Sequence, residues 1–149
     1  MARTGTVLRN TKETQIEVVV NLDGGDVNVK TGIGFFDHML TAFGFYAKIG
    51  LTVQATGDLY VDGHHTVEDV GICLGMALKQ ALGDRAGIRR FGSCYVPMDE
   101  ALTFTALDFS NRPYLVFDAP MPQERIGEYD SCLTVEFMRA LAMNAGITL

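Results

Sequence analysis

Residues 35–51 read FFDHMLTAFGFYAKIGL and residues 133–149 read LTVEFMRALAMNAGITL. Laid over one another at a shift of 98 (133 − 35), they share Ala42/Ala140, Ala47/Ala145, Ile49/Ile147 and Leu51/Leu149. Five more pairs stay apolar: Phe35/Leu133, Met39/Phe137, Leu40/Met138, Phe43/Leu141 and Phe45/Met143. Each copy is an amphipathic helix that leads, after a glycine-containing break, into a strand. The pattern predicts an internal duplication within one domain, with residues 1–87 as the first half and 88–149 as the second. The position matching His64 would be 162, past Leu149, so the second half is expected to be incomplete and the natural polypeptide longer than 149 residues.

Outward from these helices the chain alternates strands and helices. Thr14–Leu22 (TQIEVVVNL) is rich in β-branched residues and predicts a strand. Asp23-Gly24-Gly25 supplies a hairpin turn, with residues 26–30 as the returning strand. Leu51–Ala55 and Asp58–Val61 read as two strands around Gly57, and a helix is predicted from His64 to about Leu82, ending at Gly83-Asp84. Ala101–Phe109 is the clearest later strand, and the turn Ser110-Asn111-Arg112-Pro113 leads to another at Tyr114–Phe117.

With 48% hydrophobic and 20% charged residues among 149, the chain has enough apolar material for one core and is not intrinsically disordered. A net charge of −6 argues against a nucleic-acid groove, which needs a basic footprint. No apolar run reaches the length of a membrane span, and the first residues lack the apolar core of a secretory signal. Cys73, Cys94 and Cys132 form no CxxC and suit a reducing compartment, so a cytoplasmic location is expected.

Two of the three histidines stand in His64-His65-Thr66-Val67-Glu68. On a helix His64 and Glu68 share a face and can hold one ion together. His65 points about 100° away, toward a different centre. Imidazole with carboxylate suits borderline ions such as Mn, Fe, Ni or Zn better than Mg or Ca. His38 sits in Phe35-Phe36-Asp37-His38-Met39, whose apolar neighbours predict a buried ring with Asp37 or another carboxylate as its orienting partner. A lone histidine on such a helix is equally a hydrogen-bonded core residue. Arg90 and Arg112 lie beside turns, where arginine grips phosphate or carboxylate, or simply meets solvent. Glu13 reads as a turn carboxylate.

Taken together and in order, RNTKET (9–14), GIGFFDHML (32–40), DGHHTVEDVG (62–71), RFG (90–92), PMDEAL (97–102) and NRPYL (111–115) closely resemble the imidazoleglycerol-phosphate dehydratase family, over essentially the whole chain. The resemblance implies a duplicated α+β fold, each half a four-stranded sheet with two helices packed on one face. It implies a hydro-lyase of histidine biosynthesis that removes water from D-erythro-imidazoleglycerol phosphate to give imidazole-acetol phosphate. It also implies two Mn2+ sites built between subunits of a 24-copy homo-oligomer.

Position by position, His38, His64, His65 and Glu68 match family metal ligands. Glu13 matches a carboxylate near the substrate, and Arg90 and Arg112 match residues gripping its phosphate. Glu13, His65 and Glu68 are the expected proton-handling groups. The family's second HHxxE, with its catalytic glutamate and nearby lysine, has no counterpart within residues 1–149. The reading from a different class is therefore a non-catalytic metal-binding or assembly fragment.

Overall fold

In the computed structural model, which describes residues 2–149, the first half is built from β1 (Thr4–Asn10), β2 (Thr14–Asn21), β3 (Val27–Lys30), α1 (Gly34–Ala47), β4 (Gly50–Gly57) and α2 (His64–Leu82). The strands form one sheet in the order β1-β2-β4-β3, antiparallel except for the parallel β3/β4 pair. Alternation along β2 decides which face is covered. Thr14, Ile16, Val18 and Val20 are buried, while Gln15 and Glu17 meet solvent. The helices cover that one face, packing Phe36 and Leu40 of α1 and Val67, Val70, Leu74 and Ala77 of α2 onto Val18, Val20, Leu51 and Val53.

β5 (Phe91–Met98), β6 (Ala101–Asp108), the short pair β7 (Arg125–Ile126) and β8 (Tyr129–Asp130), and α3 (Leu133–Ala145) follow. Several of their pairings match pairings among the first six elements. Thr4 pairs with Asn21 across β1/β2, and Phe91 pairs with Asp108 across β5/β6, so both strands keep one register at a shift of 87 (91 − 4). Asn21 faces Gly50 at the start of β4, as Asp108 faces Thr148. The helix ends agree at a shift of 98. Lys48 and Gly146 are both left-handed caps, and Ile49 N–H donates to the Gly44 carbonyl as Ile147 N–H donates to that of Ala142. The two shifts differ by 11 (98 − 87). The Tyr114 carbonyl accepts the Leu149 N–H as that of Asp26 accepts the Leu51 N–H, a shift of 88 (114 − 26), so one extra residue precedes Tyr114 and ten lie between it and α3, where β7 and β8 sit.

α2 and α3 pack directly through small residues. A Cβ at Gly71 would stand 2.9 Å from the Phe137 carbonyl oxygen, and one at Gly75 would stand 2.7 Å from that of Leu141. Arg85, three residues beyond α2, donates to the carbonyls of Phe109 (3.0 Å) and Ala145 (2.9 Å) and so caps the negative end of α3.

Three sequence expectations are corrected. β3 is not the returning arm of a hairpin with β2, because both edges of β2 are already taken by β1 and β4. Asp58–Val61 is a turn rather than a strand, closed by Val61 N–H donating to the Asp58 carbonyl at 2.8 Å. Tyr114–Phe117 forms no regular strand; it makes only parallel bridging bonds to the last residues, Tyr114 N–H to the Ile147 carbonyl (3.1 Å) and Val116 N–H to that of Leu149 (2.9 Å).

Candidate metal and phosphate sites

α2 begins directly after the turn that leaves β4. Its start is held in two ways. A side chain on Gly57, the last residue of β4, would collide with Thr66 Oγ1, so strand end and helix start sit in contact. Asp62 Oδ1 accepts the His64 backbone N–H at 2.8 Å, meeting a donor that the helix itself leaves open.

From this base the two imidazoles diverge. Their ring centroids stand 6.3 Å apart with planes at 76°. His64 Nε2 lies 3.7 Å from Glu68 Oε2, both side chains half exposed, as the four-residue spacing requires. His65 Nδ1 lies 2.9 Å from Asp58 Oδ2. That hydrogen bond raises the pKa of His65 above the ordinary histidine value; loss of solvent around the ring opposes it, and the charges of Asp58, Glu13 and Asp62 add to the rise.

Thr14 pairs with Gly57 across β2/β4, next to Asp58, which brings the β1–β2 turn into the same neighbourhood. That turn is pinned to α2 by residues without an obvious signal in the sequence. Thr14 Oγ1 donates to buried Asp69 Oδ2 at 2.6 Å, and Arg9 Nε lies 2.9 Å from Asp69 Oδ1. Thr11 Oγ1 accepts the N–H groups of Glu13 and Thr14.

His38 departs from expectation. It is exposed on α1, and Asp37 does not orient it; the Asp37 carboxylate accepts instead from Thr31 N–H (2.7 Å) and Thr31 Oγ1 (2.6 Å) at the negative-charge-favouring end of α1. The apolar neighbours Phe36 and Leu40 occupy the buried side of the helix and leave His38 on the other.

The two candidate phosphate arginines meet at one carboxylate. Arg90 donates through Nε to Asp108 Oδ1 (2.6 Å) and through a terminal nitrogen to Oδ2 (3.0 Å), with Arg112 3.9 Å from Oδ2. Arg90 holds the Asp108 carboxyl below the usual carboxylate range. Among the described residues no hydrogen bond or ion pair joins this cluster to the histidines, and no three His, Cys, Asp or Glu gather closely enough to hold an ion. Among the described residues no helix is long and apolar enough to cross a membrane. Burial pushes the Cys73 thiol up to about 11, so it offers no nucleophile.

The family model for imidazoleglycerol-phosphate dehydratase matches residues 31–149. The imidazoleglycerol-phosphate dehydratase of Rhodopseudomonas palustris (strain BisB5) is 59% identical over 148 residues, covering 99% of this chain and 75% of that protein. That of Ruminiclostridium cellulolyticum is 57% identical, covering 99% and 76%. Among solved structures, imidazoleglycerol-phosphate dehydratase from Staphylococcus aureus superposes with a TM-score of 0.87 at 36% identity, covering 97% of this chain and 80% of that one. The Pyrococcus furiosus enzyme, solved in complex with (S)-C348, gives 0.82 at 39% identity, covering 95% and 76%.

Proposed function

This chain belongs to the imidazoleglycerol-phosphate dehydratase family, hydro-lyases of histidine biosynthesis, and from that premise we propose that it acts in a Mn2+-dependent dehydration of D-erythro-imidazoleglycerol phosphate to imidazole-acetol phosphate. The observation that carries the reading is the divergence of His64 and His65 from one helix start, each paired with a different carboxylate.

The donor chemistry fits a borderline divalent ion. His64 and Glu68 supply one imidazole and one carboxylate on a half-exposed face, and His65 supplies an imidazole to a second centre. His38, exposed on α1, is a further donor. Two donors leave an ion open on its other sides, which supports completion by other copies in a homo-oligomer of 24. Exposed Phe45 (70%), Tyr46 (80%) and Tyr60 (91%) are the kind of surface such an assembly covers. When bound, the metal supplies Lewis acidity that favours the imidazolate form of the substrate ring.

The chain's own residues do the remaining work. Arg90 and Arg112 bind the phosphate and fix where the glycerol carbons lie. Glu13, in the turn that the Thr11, Thr14 and Asp69 contacts fix near the start of α2, accepts or returns a proton at its carboxylate oxygen. His65 and Glu68 take part in the same proton traffic. Overall a C–H proton and a neighbouring hydroxyl leave as water, and the resulting enol becomes the ketone without change of redox state.

The test is incubation of the protein with D-erythro-imidazoleglycerol phosphate and Mn2+. Formation of imidazole-acetol phosphate, abolished by a chelator and restored by Mn2+, is the expected result. Folded protein that binds Mn2+ without turnover would favour a metal-binding assembly module instead.

A further inference from the structure

Asp58 follows the last residue of β4, and its carboxylate is largely buried, 12% exposed against 47% for His65. Both partners are carried by rigid elements. The turn after Asp58 is closed by its own carbonyl, and Gly57 is locked against Thr66, one residue beyond His65. The 2.9 Å approach of Asp58 Oδ2 to His65 Nδ1 therefore follows from the junction of strand and helix, not from a chance surface rotamer.

Among the described residues no other charged side chain makes a competing bond to the ring. Asp62 Oδ1 is committed to the His64 backbone, and the Glu13 carboxylate makes no hydrogen bond or ion pair with the ring among the described residues. Asp58 Oδ1 is buried and has no hydrogen-bond partner among the described residues. A buried carboxylate oxygen without a partner costs stability, so this acid is poorly explained as a stabilising device.

We propose that Asp58 is a positioning residue for His65, holding the imidazole by Nδ1–H and leaving Nε2 as its one free electron pair. A carboxylate behind an imidazole fixes both tautomer and ring orientation and raises the basicity of the opposite nitrogen. Without it, an imidazole in water carries its proton mainly on Nε2, where it blocks the nitrogen that a cation or an acid would meet. The tautomer stands by itself; its consequence for metal rests on the function proposed above.

The experiment is long-range 1H–15N correlation of the ring nitrogens in metal-free protein, at a pH where His65 is neutral. The wild type is expected to show the proton on Nδ1 and a bare Nε2. Asp58→Ala moves the proton to Nε2, whereas Asp58→Asn, whose amide oxygen still accepts, keeps it on Nδ1. Should Asp58→Ala fail to fold, the wild-type and Asp58→Asn spectra decide. A proton on Nε2 in the wild type, or one unchanged tautomer in wild type and Asp58→Ala, overturns the proposal. Titration with Mn2+ alone reads the consequence, with Asp58→Ala binding about 10–100-fold more weakly. Nδ1–H in the wild type with no Mn2+ binding by any form upholds the role of Asp58 and overturns the metal reading instead.

Discussion

Arg90 grips Asp108 with two nitrogens, Nε to Oδ1 at 2.6 Å and a terminal nitrogen to Oδ2 at 3.0 Å. The same aspartate joins its backbone to Thr148 in both directions, N–H to carbonyl at 2.9 and 3.0 Å. One residue thus ties the end of β6 to the stretch after α3 and fixes a proposed phosphate-binding guanidinium.

The pH dependence of that pair has a definite sign. Because Arg90 lowers the Asp108 pKa in the folded chain, the stabilisation is complete above the carboxylate's unfolded value, near 3.8, and disappears as pH falls through the lower folded value. Asp108→Asn is expected to be less stable than wild type at neutral pH, with the difference vanishing in strong acid. Urea midpoints measured across pH 2 to 7 (about the range where carboxylates titrate) check this. A gap that persists unchanged at the acid end contradicts it.

The α2–α3 seam gives a second prediction. Gly75→Ala gains about 1 kcal/mol of helix propensity, yet its Cβ would stand 2.7 Å from a backbone oxygen of α3. Overpacking costs about 1–3 kcal/mol, so the net effect is expected to be a loss of about 1 kcal/mol. Met76→Ala, on the exposed side of the same helix, is expected to stay within about 0.5 kcal/mol. Chemical denaturation of the two variants decides; an unchanged or raised midpoint for Gly75→Ala would mean the helices are not in contact there.

The cysteines offer a simple check of burial. Cys73 is fully buried with its thiol pushed up to about 11, while Cys94 and Cys132 are exposed. Alkylation of native protein at pH 8 (about half a unit below an ordinary thiol pKa) should label Cys94 and Cys132 and spare Cys73, as peptide mass mapping would read. Labelling of Cys73 at the rate of the other two contradicts the packing of α2.

Helix α2 is legible from residues alone, both its start at His64 and its end at Leu82, because period and glycine punctuation agree there. The divergence of His64 and His65 follows from the 100° step between neighbouring helical residues, so adjacency in the sequence is enough to imply it. Pairing between distant segments is not legible in this way. β3 joins β4 rather than β2, a choice made by which strand edges remain free. Asp58 is hidden for a related reason. The stretch from Asp58 to Val61 has the composition of a strand, and only its turn swings that carboxylate back to His65. His38 misleads because an apolar helix has a wet side as well, and Phe36 and Leu40 occupy the other one.

The central claim, that adjacent imidazoles serve two separate ions, is tested most directly by counting Mn2+ bound per chain in wild type, His64→Ala and His65→Ala. Two ions are expected in the wild type, with each variant losing a different one, distinguishable because Glu68→Ala mimics His64→Ala alone. Loss of one and the same ion in both histidine variants would contradict the account.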